Sequence, residues 1–465
     1  MTKLSYTLEA GLAEWRASHI DEEGFAERVD FYAETGLSAV DVIYAARVKD
    51  VNTSLDMAFF DLGNGQSGCM SLRRAKQLVK GKVASISDCL KEGQLITAQG
   101  ITDASSIDGK AINLSAKPRL VGRYVVLELA KPRLFFSKDL PPRSLKALSP
   151  LLTDLANDYS IIVRTAAMDI APESVLAEAQ WLASAFSEIG TMKKPAVLFS
   201  MSPLEQALLH APEDERPIYI ENGSVLTEAL ALCEKRWPDM SGRLMNWQGD
   251  QSIAEEFGIE EAIEEALEDR IQLPSGGWIT IEHTTALTVI DVNVGSALQG
   301  RPASEALLTV NMEAALASLY HMKFQDIGGL IVIDFVDMSA KGSAAQLINL
   351  IDETMKSDPV PIKRSGLSQF GLMEFSRKRK GLNLKDRMLQ KRQAVLSPRA
   401  QAIHLIEEAV KAGLGKEAGD IILMVPNQTL KFLEDNPSLT KALADKCHRS
   451  VKLKQNDKAF VKIGS

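Results

Sequence analysis

Two apolar runs in the chain end in acids. "LTVIDVNVGSA" (287–297) places Asp291 and Asn293 two positions apart, and "IGGLIVIDFVDM" (327–338) places Asp334 and Asp337 three apart. An ionised carboxylate is expensive to bury without a partner, so these acids have either a structural partner or a chemical task. Side chains alternate along a strand with period two. Asp291 and Asn293 therefore share a face, whereas Asp334 and Asp337 point to opposite sides, and at most one of them converges on Asp291. In open α/β sheets, ligands gather beyond the carboxyl ends of the strands. Two aspartates and an amide oxygen there make a hard, oxygen-only donor set suited to Mg²⁺ or Mn²⁺, which bind through one or two carboxylates and keep several waters. Such a cation activates water and stabilises charge on a phosphoryl group. The competing reading is that the acids cap strand ends or pair with Arg or Lys, and the pattern alone leaves both open.

The surrounding elements must present those residues. "LPSGGWITIEHTTALTVIDVN" reads as a β-hairpin, followed by a helix over roughly 303–323, the strand "GGLIVIDFVDM" and a helix over about 341–356. This β–α–β–α order implies a layered α/β domain with parallel pairing. Upstream, residues 1–35 alternate short helical patterns with turns. From about Val42, "DVIYAARVKDVNTSLDMAFFDLGNGQSGCM" alternates apolar and polar residues around turn signals, and the short strands "GQLITAQGIT", "AINLSA" and "GRYVVLELA" follow. Strands at such spacing predict a small barrel. Residues 141–215 alternate helix and strand, with "YSIIVRTAAM" the clearest strand and a helix begun by Pro172. "DERPIYIENG" reads as a further strand and "IAEEFGIEEAIEEALEDRI" as an acidic amphipathic helix. The tail from about 394 reads as a small α/β unit. The fold class is thus mixed, α/β and α+β, in several domains.

A chain of 465 residues suggests two to four domains. With 45% apolar and 25% charged residues, its composition is that of an ordinary soluble globular protein. No stretch approaches the roughly 20 apolar residues of a membrane helix, and the start, amphipathic and soon acidic, does not read as a signal peptide. A cytoplasmic protein is expected. Cys69, Cys89, Cys233 and Cys447 are scattered without a C-x-x-C pair, which argues against structural zinc and against a disulfide framework. The histidines, His283, His321 and His404 among them, do not fall at ligand spacing. The net charge of −8 hides a basic run, "RKRKGLNLKDRMLQKRQ" (377–393), with eight Lys or Arg against one Asp. It is either a solvated helical face or a phosphate-binding stripe.

Taken together, "LPSGGWITIEHTTALTVIDVN", "NMEAALASLYHMKFQDIGGLIVIDFVDM" and "QFGLMEFSRKR" closely resemble the ribonuclease E/G family of bacterial endoribonucleases. The resemblance implies that Asp291 and Asp334 bind the catalytic magnesium, with Asn293 beside them, and that Asp337 is structural. It is similar to the family's S1-type RNA-binding barrel over the segment from Val42, where Phe59 is retained and Lys110 matches a lysine that approaches RNA. "IIVRTAAM" resembles the segment that senses a 5′-monophosphate, which implies that role for Arg164 and Thr165. A guanidinium fork beside a hydroxyl suits a phosphate. Arg377, Lys378 and Arg379 are then expected on RNA backbone. The implied architecture is an RNase H-like domain (1–38 and 204–267) that embeds an S1-type, OB-like barrel (39–118) and a 5′-sensor region (119–203). A DNase I-like catalytic domain (268–393) and a small C-terminal α/β domain (394–465) follow.

There are departures from the family pattern. The C-P-x-C motif that links protomers through zinc is absent, so no zinc is expected, a zinc-linked dimer or tetramer is not implied, and the oligomeric state stays open. Cys69 stands where the family has a base-stacking phenylalanine, a contact worth about 1–3 kcal/mol, and Thr285 replaces a glutamate in the family's "TEAL". The expected function is Mg²⁺-dependent endonucleolytic cleavage of single-stranded RNA. Metal-activated water would leave a 5′-phosphate and a 3′-hydroxyl, with a preference for 5′-monophosphorylated RNA. The alternative is an RNA-binding or ribosome-associated member with slow or lost cleavage. Cys69, Thr285, the missing zinc motif and the short C-terminal region point that way, whereas intact Asp291, Asn293 and Asp334 point against it.

Overall fold

The computed structural model describes residues 4–464 except 12–13, 34–37, 64, 104–110, 191–192, 285, 300–301, 339–341, 379–381, 390–397 and 416–418. The chain separates into two compact units, residues 1–389 and 390–465.

In the first unit, strands Ser5–Ala10, Glu14–Ile20 and Ala26–Ala33 form an antiparallel ladder, and Ile218–Ile220 and Leu244–Asn246 extend it in parallel from the first strand. The expectation of short helices over 1–35 is therefore corrected. Ser5, Tyr6, Thr7 and Leu8 are all buried, because this strand is covered on both faces. Two-sided burial erases the alternation by which a strand is recognised.

A closed five-stranded barrel follows. Ile43–Asn52, Met57–Asp61, Ser67–Ser71, Ile112–Ser115 and Leu95–Thr102 are neighbours in that order, and the last pairs back to the first. Its interior is filled by Tyr44, Ala46, Val48, Ala58, Phe60, Met70 and Leu114, one residue in two along each strand. A closed barrel of five short strands is consistent with an OB fold.

Strands Arg119–Val121, Val125–Glu128, Ser160–Val163 and Arg133–Phe136 make a four-stranded sheet packed by helices Pro142–Leu152 and Pro172–Glu188. Glu178 of the second helix is fully buried, and its carboxyl accepts from the backbone N–H groups of Arg123, Tyr124 and Val125 and from the Trp237 indole. Burial pushes this carboxyl up to about 7 against the pull of those donors. It holds the turn at 122–125 in place.

The sheet that carries the acids has six strands in the order Arg270–Gln272, Trp278–His283, Thr288–Asn293, Gly329–Asp334, Leu372–Arg377 and Ile362–Arg364. Thr288–Asn293 and Gly329–Asp334 run parallel, joined through helix Ala303–Phe324, and the other pairs are antiparallel. Ile279, Ile290, Ile331, Ile333, Met373 and Phe375 point to one face, where Val310 and Ala314 of that helix and Leu347 and Ile351 of helix Ser343–Thr354 cover them. The alternate residues face the other way and remain accessible.

His321 lies inside the covering helix at 2% exposure. Burial, helped by the Lys385 ammonium, pushes its imidazole down to about 4. A folded-state pKa below the unfolded value near 6.5 means stability that is present above that value and lost as pH falls through about 4. Replacing His321 by Gln is expected to flatten this acid limb by up to about 3 kcal/mol. Urea melts of both proteins at pH 7 and pH 4 test it. Equal pH dependence in the two contradicts a buried neutral imidazole.

The second unit is a three-stranded sheet, Val451–Gln455, Asp420–Val425 and Phe460–Gly464, packed by helices Pro398–Gly413, Asn427–Asp435 and Pro437–Cys447. Among the described residues, no helix is long and apolar enough to cross a membrane.

Candidate active site on an open sheet face

Asp291 and Asp334 are direct cross-strand partners at the carboxyl ends of the parallel pair. Adjacent strands lie about 4.8 Å apart, so the two side chains stand side by side. Both are exposed, because they lie on the uncovered face. The apolar residues that flank the acids face the helices, so the carboxylates stay in solvent although their strands are largely apolar. Asn293, two residues on, donates Nδ2 to Asp291 Oδ2 at 2.7 Å. Among the described residues neither acid is ion-paired to Lys or Arg, and no group of three or more His, Cys, Asp or Glu could hold a metal. The donors at hand are two carboxylates, with the Asn293 amide bound to one of them. They fit Mg²⁺ or Mn²⁺, which fill the rest of their shell with water.

The chain leaving Asp334 is fixed from behind. Asn311, fully buried in helix Ala303–Phe324, donates to the Val336 carbonyl at 2.7 Å and accepts from the Val336 N–H at 3.0 Å. The Phe335 N–H donates to the Gly371 carbonyl at 3.1 Å. Gly371 has φ +79°, and a side chain there would strike the Phe335 carbonyl. Asp337 is exposed just beyond this brace. Neither the motif around Asn311 nor the family resemblance points to this brace. The available signal was a lone amide among apolar helix positions, which needs a partner when buried.

Arg164 and Thr165 sit together at the end of strand Ser160–Val163. The Arg164 Nη1 donates to the Gly122 carbonyl at 2.6 Å, its backbone N–H to the Tyr124 carbonyl at 2.7 Å, and Thr165 Oγ1 lies 2.8 Å from Ser137 Oγ. Arg164 is half-buried and Thr165 exposed. The turn that receives Arg164 is the one held by Glu178.

On the barrel, Phe59 alternates with buried Ala58 and Phe60, is half-buried itself, and lies directly opposite Cys69. The Cys69 thiol donates towards Asn113 Oδ1 at 3.5 Å, and burial pushes its pKa up. Lys110, Thr285 and Arg379 lie outside the described residues.

The basic run is corrected in part. Arg377, expected on RNA, is 2% exposed. It donates to Asp358 through Nε and Nη2 at 2.7 and 3.1 Å, and to Asp326 and the Ile327 carbonyl through Nη1 at 2.7 and 3.2 Å. Its strand position points it to the covered face, out of reach of a polyanion. Lys385 is likewise buried against Glu268 and Asp269, and Arg387 pairs with Glu14. Lys378 is exposed. The described part of this run is largely a set of internal ties.

The profile of the Ribonuclease E/G family matches residues 119–380. Ribonuclease G of Escherichia coli K12 is 27% identical over 387 residues, covering 79% of this chain and 78% of that protein. Ribonuclease E of Haemophilus influenzae is 30% identical over 360 residues, 72% of this chain and 37% of that protein. Ribonuclease E of a Nostoc species is 29% identical over 372 residues, 75% and 52% respectively.

Proposed function

The chain belongs to the ribonuclease E/G family, and from that premise we propose that it is an endoribonuclease cutting single-stranded RNA at the Asp291–Asp334 pair. The observation that carries the reading is the register itself. Two carboxylates, neither ion-paired to Lys or Arg among the described residues, are direct neighbours on an open face, where a polymer can cross without threading a pocket.

Asp291 and Asp334 would hold Mg²⁺, with Mn²⁺ an acceptable substitute. When bound, the ion supplies the positive charge that stabilises the phosphoryl group and activates water. Asn293 fixes the rotamer of Asp291 by donating to it, and Asn311 fixes the backbone that carries Asp334. Water attacks phosphorus, the bond to the 3′-oxygen breaks, and the proton passes to that oxygen, which leaves a 5′-phosphate and a 3′-hydroxyl. On this reading 268–393 is the DNase I-like catalytic domain and the first sheet belongs to an RNase H-like domain. The barrel, through Phe59 and Lys110, holds RNA away from the cut. The protein acts in the cytoplasm.

Arg164, Thr165 and the neighbouring Ser137 hydroxyl form the grip for a 5′-monophosphate. A short A/U-rich RNA should be cut in Mg²⁺ and not in chelator, and faster with a 5′-monophosphate than with a 5′-hydroxyl. Arg164→Gln is expected to lower the rate on the monophosphate by about tenfold, to that on the hydroxyl substrate. A retained preference removes the sensor assignment.

A second reading, a binding protein with weak or lost cleavage, draws on Cys69: no aromatic ring stands across from Phe59 to take a base. Binding without Mg²⁺-dependent cutting selects it.

A further inference from the structure

We infer that Arg270 binds the RNA phosphate next to the scissile one, an assignment that rests on the nuclease reading above. The ladder aligns Arg270, Thr280, Asp291, Asp334 and Leu372 as successive cross-strand partners, so their side chains share the open face. Arg270 stands two strands from Asp291, about 10 Å at the backbone. Its side chain reaches over the next strand: the guanidinium carbon lies 3.9 Å from the centre of the Trp278 ring. Trp278 is the cross-strand partner of Asn293, and Asn293 donates to Asp291. The cation thus lies over the strand next to the one that carries Asp291.

Charge gives the reason for it. Besides the two aspartates, Glu282 and Glu374 are exposed and fall on the same face by the same alternation. A phosphodiester approaching four carboxylates is repelled unless fixed positive charge lies beside its path. The other arginines of this sheet are occupied, Arg364 by Asp352 and Arg377 by Asp326 and Asp358. Arg270 is exposed and, among the described residues, has no carboxylate partner. With the Gln272 amide oxygen turned towards it, Nε and Nη2 donate at 3.0 and 3.2 Å. The remaining N–H groups of the fork are left for an anion. Stacking on the indole orders the fork beforehand, which lowers the entropy lost when a phosphate docks.

The test is steady-state cleavage and fluorescence-anisotropy binding of a single-stranded RNA by the full chain and by Arg270→Ala, Arg270→Lys and Trp278→Leu. Arg270→Ala should raise KM about tenfold, with the loss falling on KM far more than on kcat. The slope of log affinity against log salt should become shallower by about 0.7, the value of one single-strand phosphate contact. Arg270→Lys should recover part of the loss, and Trp278→Leu should fall between. An oligonucleotide with a neutral methylphosphonate beside the cut, on a 2′-O-methyl nucleotide, should weaken the wild type by the same factor and Arg270→Ala no further. Unchanged melting temperatures show that the fold is intact. A wild type that cuts RNA while Arg270→Ala keeps its KM, salt slope and methylphosphonate penalty overturns the Arg270 assignment alone. A wild type that neither binds nor cuts RNA overturns the nuclease reading and this assignment with it.

Discussion

Asp291→Asn and Asp334→Asn are each expected to reduce RNA cleavage about a thousandfold or more, because each would remove half of the anionic grip on the proposed cation, whose charge would supply several kcal/mol of transition-state stabilisation. The amide is nearly the same size as the carboxylate, and both positions are exposed on the open face. Stability should therefore stay within about 0.5 kcal/mol of the wild type. Asn293 can still donate to a carbonyl oxygen at 291, so the local geometry survives and the loss reads as charge. On the proposed reading RNA affinity comes from the barrel and from cations such as Arg270, so it should persist. Rates on a labelled oligonucleotide, with melting curves alongside, give the answer. Either variant cutting at the wild-type rate removes the acids from the chemistry.

Arg377→Met is expected to destabilise the first unit by about 3–5 kcal/mol, the range for breaking a buried ion pair from one side. The guanidinium side chain is 1% exposed, and Asp358, which takes two of its N–H groups, is 7% exposed. Methionine fills the space but leaves that buried carboxylate without its cation, its Oδ1 still accepting from the Val360 N–H at 2.8 Å, and strands the Ile327 carbonyl. Lys378→Ala, one residue along and exposed, should change stability by less than about 0.5 kcal/mol. Urea unfolding of the pair separates the roles: an arginine that served RNA would lose affinity with little change in the melt.

The contrast shows what can be read from a single sequence here. The hairpin at 273–293, the crossover helix and the strand ending at Asp334 were legible because their periods are strong and their polar interruptions fall at strand ends. Direct pairing of Asp291 with Asp334 needed the register, which no local pattern encodes. The basic run misled because charge composition does not name partners: Asp358 and Asp326 lie 19 and 51 residues away from Arg377. The strand at Ser5–Ala10 was misread because burial on both faces removed its alternation. Arg270 went unnoticed for a related reason. The role proposed for it rests on a diagonal contact with Trp278 across a hairpin and on its place in a row of five strands.

Binding of Mn²⁺ to the full chain, followed by electron paramagnetic resonance, addresses the central claim without reliance on turnover. One tightly held ion per chain is predicted for the wild type, lost in both Asp291→Asn and Asp334→Asn. A wild type that holds no ion, or variants that hold it as tightly as the wild type, would contradict a cation seated between these two strands.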